Sequence, residues 1–177
     1  DEGSFVGVAR VAEVGLDAAR KLIAEGFDFD LIDAHYFYPD GVAATMIGKA
    51  LNKPVVITAR GTDINLIPQY EKPRQLILRA AEDCSAMITV CAALKDAIVS
   101  LGGTAQKITV LRNGVDLELF RPEDRSQARA AFGMNDRFAI ASVGHLIERK
   151  GHHLVIEALA GIPDGEIYIA GDGEEET

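Results

Sequence analysis

The strongest constraint on the fold of this chain is a regular alternation of short apolar runs with stretches of helical pattern. The apolar runs are rich in Val, Ile and Phe, and several lack polar alternation, which is typical of parallel strands covered on both faces. Strands are predicted at 29–35, 54–59, 86–90, 108–111, 138–143 and 166–170. Helices are predicted at 8–25, 42–51, 73–81, 93–101, 125–132 and 151–159. This order predicts an α/β fold built from βαβ units, with parallel sheets and flanking helices.

Turn-forming residues stand at the ends of these predicted elements. Gly26, Asn52 and Gly102-Gly103 stand where the helices must stop. In parallel sheets, ligands bind at the carboxyl ends of the strands. Those ends carry most of the remaining Gly and His residues, namely His35-Tyr36, Arg60 to Asp63, Arg112 to Gly114, Gly144-His145 and Gly171 to Gly173.

The segment 113–122 differs from the other connections. It starts with the turn dipeptide Asn113-Gly114, continues through an irregular apolar stretch that contains Asp116, and reaches Pro122, which can open a helix. We interpret it as a linker between two domains, 1–112 and 123–177. The length of 177 residues is compatible with parts of two domains.

Charge and hydropathy exclude some classes of function. The chain has 18 basic and 27 acidic residues and a net charge of −9, which argues against a nucleic-acid-binding surface but not against a local anion site. No apolar run approaches the 18 or so residues of a membrane-spanning helix. The first residues include neither Met nor a basic leader, so we expect a cut end.

The two cysteines are predicted to be free thiols. Cys84 and Cys91 are seven positions apart, about 23 Å in a strand or 10 Å in a helix. Both separations exceed the roughly 7 Å limit between bridged Cα atoms. Unpaired thiols fit a reducing compartment, and ordinary structural cysteines are favoured over a reactive or metal-binding pair.

The segment 142–151 has the pattern of an anion site. A predicted strand is followed by Gly144, where the backbone must turn, and by the basic pair Arg149-Lys150 just before a predicted helix. Backbone N–H groups at a helix N-terminus with a flanking Lys bind phosphate or diphosphate well. Lys150 is the strongest candidate cation, and His145 can donate a hydrogen bond. The alternative is that both basic residues are simply solvated.

Four segments in this order resemble the glycosyltransferases of family 4, often called group 1, which have the GT-B architecture of two Rossmann-like domains. The likeness runs from about Phe29 to the last residue. It rests on Asp33-Ala34-His35 with Pro39-Asp40-Gly41, Ile57 to Asp63, Arg112 to Asp116 with Phe120 and Pro122, and Ser142 to Gly151 with Gly171-Asp172-Gly173. The resemblance implies an incomplete GT-B fold: the second part of an acceptor-side domain, the linker, and the first part of a donor-binding domain.

The resemblance also implies a reaction and a set of site residues. The complete enzyme would transfer a sugar, with retention, from a nucleotide-diphospho-sugar to a hydroxyl of a saccharide or lipid-linked acceptor. It would need no cofactor and no metal. The implied donor diphosphate site is Gly144, His145, Lys150 and Gly151, with weaker donor contacts at Gly171 and Gly173. The implied acceptor and cleft residues are His35, Arg60, Gly61, Thr62 and Asp63, and the implied hinge is Asn113, Gly114 and Asp116.

Two positions depart from the family pattern. His145 stands where the family usually has Arg, and Arg60 stands where many relatives have a His that reaches the donor sugar. Arg60 either faces the cleft, pairing with phosphate or with Asp63, or caps the strand end. Asp63 either forms a turn or helix cap, or contacts substrate. His35 is either an acceptor ligand or a plain loop residue.

The sequence leaves the activity of this chain by itself open to three interpretations. It lacks the family's N-terminal Gly-rich loop and its later motif of two glutamates separated by seven residues, so the fragment is expected to be inactive alone. The alternatives are a non-catalytic nucleotide- or protein-binding module and a nucleotide-sugar epimerase of the same architecture. We expect a cytoplasmic protein, with peripheral membrane contact left open, and self-association of the truncated domain.

Overall fold

The computed structural model describes the backbone of residues 2–176 and the side chains of residues 7–176. These residues form two compact units that divide between Val115 and Asp116. The boundary lies inside the segment 113–122. Below, unit 1 is the part up to Val115 and unit 2 is the part from Asp116.

Unit 1 is a parallel sheet with helices in every connection. The four strands lie in the order β1-β2-β3-β4 and all neighbours are parallel. Their bounds are β1 Ile32–His35, β2 Val55–Ala59, β3 Ala86–Thr89 and β4 Ile108–Val110. The helices are α1 Glu2–Ala24, α2 Val42–Leu51, α3 Thr62–Asn65, α4 Glu71–Asp83 and α5 Ala92–Ser100. This arrangement confirms the predicted α/β class.

The core of unit 1 lies on both faces of the sheet. Four of the five residues of β2 are buried, and successive strand residues point to opposite faces, so both faces must be covered. The largest fully buried apolar side chains are Phe37, Ile57, Ile77 and Met87. This burial explains why the apolar runs of the sequence lack polar alternation.

The predicted helix stops are confirmed by backbone conformation. Gly26 and Gly102 have φ values of 94° and 111° after α1 and α5, and Asn52 has φ 52° and ψ 44° after α2. Such left-handed geometry disfavours residues with a Cβ other than Asn. Beyond Asn52, the Lys53 N–H donates to the Gly48 carbonyl at 2.9 Å and closes the end of α2.

Four short elements of unit 1 were absent from the sequence prediction. They are a π-helical turn at Phe37–Gly41, helix α3, and 3-10 turns at Ile67–Gln69 and Ala105–Lys107. None is long enough to show a helical period of apolar residues. The predicted strand at 29–35 is also too long, because regular pairing starts only at Ile32.

Unit 2 contains one βαβ unit and a preceding helix. Strands β5 Ala139–Val143 and β6 Glu166–Ala170 pair in parallel, from Ala139 opposite Glu166 to Val143 opposite Ala170. Between them lie a 3-10 turn at Glu148–Lys150 and helix α7 His152–Leu159. Helix α6 Arg125–Ala131 comes before β5.

Two local predictions around the unit boundary were wrong. Asn113-Gly114 forms no turn; the turn lies at 117–119 instead, because the Asp116 carboxylate accepts hydrogen bonds from the N–H groups of Glu118 and Leu119 at 2.9 and 3.0 Å. Pro122 does not open a helix. Helix α6 begins at Arg125, and the Asp124 side chain caps it by accepting from two backbone N–H groups.

The cysteines are unpaired and no described helix has membrane-spanning character, as the sequence predicts. Cys84 and Cys91 are both free thiols. Burial raises the pKa of the Cys84 thiol above its ordinary value, so this group stays protonated and unreactive. Among the residues that the structure describes, no helix combines the length and the apolar character needed to cross a bilayer.

Candidate functional site

Asp63 organises the carboxyl ends of β1 and β2 in unit 1. Its side chain is fully buried. The carboxylate accepts hydrogen bonds from the Phe37 N–H at 2.8 Å, the Gly61 N–H at 2.7 Å and the Arg60 N–H at 3.1 Å. Asp63 lies inside α3, whose N-cap is Gly61 without a side-chain cap, so the predicted helix cap is wrong. Its oxygens instead bind backbone N–H groups of the loops before it and are not exposed to a substrate.

Arg60 lies beside His35 at the same edge of the sheet. One guanidinium nitrogen, Nη2, hydrogen-bonds His35 Nδ1, and the other, Nη1, donates to Asn113 Oδ1 at 3.1 Å. His35 Nε2 lies 3.1 Å from Asp33 Oδ2. The Arg60 side chain neither pairs with Asp63 nor caps the strand end. Its backbone N–H, in contrast, donates to the Asp63 carboxylate. The sequence could not show the contact between Arg60 and His35, which are 25 positions apart.

The remaining predicted cleft and hinge residues are Gly61, Thr62, Gly114 and Asp116. Gly61 has φ 144°, and a Cβ there would meet no atom within 4 Å, so backbone conformation favours glycine there. Thr62 is the exposed first residue of α3. Gly114 is likewise unrestricted in space, and Asp116 holds the turn at 117–119 as described above.

In unit 2, two loops at the carboxyl ends of β5 and β6 are in close backbone contact. The Gly144 N–H donates to the Ala170 carbonyl at 3.0 Å, and the Leu146 N–H donates to the Asp172 carbonyl at 2.7 Å. A Cβ on Gly171 would lie 1.9 Å from the Gly144 oxygen, and one on Gly173 would lie 2.3 Å from the Leu146 oxygen. Gly171 and Gly173 therefore serve the close approach of these loops.

Lys150 and Gly151 lie at the start of α7, as the sequence predicts. Lys150 ends the 3-10 turn, its side chain is exposed, and among the described residues its ammonium has no hydrogen-bond or ion-pair partner. Gly151 has φ 73° and is the N-cap residue of α7, which has no side-chain cap. The preceding 3-10 turn accepts from the Gly151 N–H through the Glu148 carbonyl, and the Leu154 and Val155 N–H groups donate to the Gly151 carbonyl. Within residues 2–176, no backbone carbonyl accepts from the N–H groups of His152 and His153 in the first turn of α7. These two N–H groups and the adjacent Lys150 form a suitable arrangement for an anion.

His145 has a neighbour that the sequence analysis did not consider. Its Nδ1 lies 3.5 Å from Asp172 Oδ1, with the two side chains 57% and 94% exposed. A carboxylate this close competes with any anionic ligand for the imidazole. Of the predicted diphosphate residues, His145 is therefore the weakest.

A second histidine of unit 2, His152 at the start of α7, is a structural residue whose role the sequence reasoning missed. It is 7% exposed, and its Nδ1 lies 2.8 Å from the Ser142 hydroxyl oxygen in β5. The bond joins the start of α7 to the strand that carries Gly144. His152 is the first residue of α7. Its burial depends on how the first turn of α7 packs against β5, which the sequence pattern does not specify. His152 holds the loop 144–151 in place.

The structure offers no metal centre in the part of the chain that it describes. Among residues 7–176, whose side chains the structure describes, no group of three or more His, Cys, Asp and Glu side chains is arranged to hold an ion. The predicted site residues thus fall into two sets, one at the carboxyl edge of the sheet in unit 1 and one around the start of α7 in unit 2.

Comparison with known proteins identifies the family. The family model described as Glycosyltransferase Family 4 matches residues 10–119. A Bacillus subtilis protein, TuaC, whose name assigns it to teichuronic acid biosynthesis as a glycosyltransferase, is 31% identical over 81% of this chain. A D-inositol 3-phosphate glycosyltransferase of Catenulispora acidiphila is 28% identical over 89% of the chain. The chain spans 38% and 40% of the lengths of these two relatives.

Solved structures agree on the fold. The crystal structure of Anabaena Alr3699/HepE in complex with UDP matches with a TM-score of 0.72 at 24% identity, over 94% of this chain and 43% of that one. This likeness confirms the Rossmann-like α/β fold of the GT-B type. With a family model that matches more than half of its length, the chain belongs to glycosyltransferase family 4.

Proposed function

We propose that this chain is part of a retaining glycosyltransferase that moves a sugar from a nucleotide-diphospho-sugar to an acceptor hydroxyl. The observation that carries the proposal is the exposed Lys150 immediately before the N-terminus of α7, at the end of the loop that begins with Gly144. In this proposal, residues 1–112 belong to the acceptor-side domain, 113–122 form the linker, and 123–177 open the donor-binding domain.

The comparisons support the class of donor and acceptor. Alr3699/HepE was crystallised with UDP, which supports a nucleoside diphosphate as the leaving group here. The relatives named for teichuronic acid biosynthesis and for D-inositol 3-phosphate support an acceptor of saccharide or related polyhydroxyl type.

Charge stabilisation is the catalytic contribution we assign to unit 2. When the bond between the anomeric carbon and the diphosphate oxygen breaks, negative charge grows on the diphosphate. We propose that Lys150, the first N–H groups of α7 and the backbone at Gly144 together stabilise that charge. The start of α7 is already held to β5 by the hydrogen bond between Ser142 and His152. The acceptor oxygen then bonds to the same carbon, and its proton passes to the diphosphate or to water. We assign no protein nucleophile.

The proposal needs no metal or other cofactor, because the diphosphate charge is met by protein groups. We further propose a cytoplasmic location, where nucleotide-sugars are made. Because the chain spans about two fifths of its relatives, we propose that it has no appreciable transferase activity by itself. Exposed apolar side chains of unit 2, such as Val143 at 79% and Leu154 at 59%, favour self-association of the isolated chain.

The test uses the full-length protein that contains this chain. It is screened against nucleotide-sugars by thermal shift, and transfer to saccharide and lipid-linked acceptors is then read by product mass, with and without EDTA. Lys150→Ala is expected to lower transfer by about a hundredfold, as loss of a charge-stabilising donor does, while the protein stays folded. Arg149→Ala is the matched control, because it removes the same charge one residue away.

Four results of this test would contradict parts of the proposed function. Near-normal turnover of Lys150→Ala, or equal losses in Lys150→Ala and Arg149→Ala, would contradict the diphosphate assignment. An epimerised nucleotide-sugar formed without any acceptor would replace the transferase with an epimerase. Transfer that EDTA abolishes would contradict the metal-independent mechanism.

A further inference from the structure

A chain of polar side chains runs along the carboxyl ends of the strands in unit 1. Asp33 and His35 belong to β1, Arg60 follows β2 directly, and Asn113 lies beyond β4. Consecutive members are in hydrogen-bond contact: Asp33 with His35, His35 with Arg60, and Arg60 with Asn113. Two of the four residues lie in β1, and the other two lie in the loops that follow β2 and β4.

The hydrogen-bond partners of His35 indicate which of its ring nitrogens carries the hydrogen. A guanidinium has only donor hydrogens, so Nδ1 of His35 must accept from Arg60 Nη2 and carries no hydrogen. The hydrogen then sits on Nε2, which faces the Asp33 carboxylate at 3.1 Å. In this hydrogen-bond pattern His35 carries its hydrogen on Nε2. It relays the orienting effect of Asp33 to the guanidinium of Arg60.

Arg60 keeps unused binding capacity. Two of the five N–H bonds of a guanidinium are taken by His35 and Asn113, and the remaining ones belong to an exposed side chain. In the described part of the chain, no carboxylate lies within ion-pair distance of it. Since its orientation is already fixed by two hydrogen bonds, little further side-chain entropy is lost when it binds a ligand.

We propose that Arg60 is the recognition site for an anionic group, a phosphate or a carboxylate, on the acceptor substrate. The free edge of a guanidinium matches two oxygens of such a group and binds them in bidentate fashion. His35 and Asn113 are positioning residues that act through Arg60. The assignment to the acceptor rests on the function proposed above, whereas the anion site itself does not.

The first test reads the four histidines of the chain by long-range ¹H–¹⁵N imidazole spectra. At pH 7.5, His35 is expected to show the Nε2–H tautomer. Titration with methyl phosphate, and separately with acetate, at constant ionic strength then tests the two anion classes. The class that is recognised shifts His35 Nδ1 in a saturable manner. Arg60→Gln weakens that response about tenfold or more, the effect of losing a charged hydrogen-bond donor.

Matched variants make the result specific. Arg10→Gln removes the same charge from an exposed arginine of α1 that pairs with Glu13, and it is expected to leave the titration unchanged. Arg60→Lys keeps the charge but not the bidentate geometry, and it is expected to bind more weakly than wild type. A protonated or Nδ1–H form of His35 in the wild type, the absence of saturation with both anions, or equal effects of Arg60→Gln and Arg10→Gln would overturn the proposal.

A second measurement separates this proposal from the donor assignment. In the full-length enzyme, Arg60→Gln is expected to raise KM for a phosphorylated or carboxylated acceptor about tenfold and to leave KM for its neutral analogue unchanged. An equal rise for both acceptors would overturn the proposal. Lys150→Gln is expected not to alter the His35 titration. If the donor assignment fails, the signals of His145 and His152 in unit 2 will not respond to UDP, whereas His35 will still respond to its anion.

Discussion

Unit 1 and unit 2 share the strand-helix-strand plan but differ in how much of it is buried. The described hydrophobic residues that are buried, from Val8 to Ile108 along the chain, all lie in unit 1. In unit 2 the described strands β5 and β6 pair only with each other, and residues on them such as Val143 and Ile169 are 79% and 39% exposed. Hydrophobic stabilisation is thus concentrated in unit 1.

In unit 2, the loops at the carboxyl ends of the strands are held by local contacts and not by a large hydrophobic core. Its loops are held by backbone contacts between 144–146 and 171–173 and by the Ser142–His152 hydrogen bond. A diphosphate site can therefore be preorganised locally without a large core around it. Substitutions in the core should therefore reduce stability most in unit 1, and substitutions at the backbone contacts of unit 2 should act mainly on its loops.

The largest expected effect is on the core of unit 1. Phe37→Ala removes a fully buried side chain and is expected to lower the free energy of unfolding by about 3–5 kcal/mol. Phe132→Ala is the matched control, because Phe132 in unit 2 is 81% exposed and should change it by less than about 0.5 kcal/mol. Urea denaturation followed by circular dichroism measures both. Similar losses of stability in the two variants would contradict the conclusion that hydrophobic stabilisation is concentrated in unit 1.

The next effect concerns the buried carboxylate. Asp63→Asn replaces one acceptor oxygen with an amide donor that faces backbone N–H groups, so we expect a loss of about 2–3 kcal/mol. Asp116→Asn changes an exposed residue that also accepts from two backbone N–H groups, and the loss there should be below about 1 kcal/mol. Thermal denaturation of both variants tests the difference. If Asp63→Asn were as stable as wild type, Asp63 would not organise the strand ends.

A smaller, local effect is expected in unit 2. Gly171→Ala would place a Cβ against the Gly144 oxygen, so the two loops must separate at a cost of about 1–3 kcal/mol. Gly161→Ala has only an ordinary contact at 3.6 Å and serves as control. Hydrogen exchange of the Leu146 amide, which donates to the Asp172 carbonyl, is expected to speed up in Gly171→Ala alone. Unchanged exchange would contradict the packing role of Gly171.

Much of the fold follows from local sequence pattern. Helix α2 and strand β6 have the predicted bounds of 42–51 and 166–170, because apolar periodicity and a following turn residue coincide there. Helix α3 could not be predicted, since its four residues carry no period and it follows a loop closed by the buried Asp63. The cap of α6 was predictable: Asp124 precedes Gln127 by three residues, which is a capping-box pattern.

The candidate site was predictable in its backbone but not in its side-chain pairs. Gly144, Lys150 and Gly151 lie where the strand-turn-helix pattern puts them. The pairs His145–Asp172, Ser142–His152 and Arg60–His35 join residues 10 or more positions apart. Such contacts depend on strand register and loop approach, which neither charge nor periodicity specifies.

We propose that the donor diphosphate binds to unit 2 through Lys150 and the start of α7. Titration of the ¹⁵N-labelled chain with UDP tests this binding most directly. We expect saturable shifts of the Gly144, Gly151 and His152 amides, a roughly tenfold weaker response in Lys150→Gln, and a wild-type response in Arg149→Gln. Shifts confined to unit 1, or a Lys150→Gln titration identical to that of wild type, would contradict it.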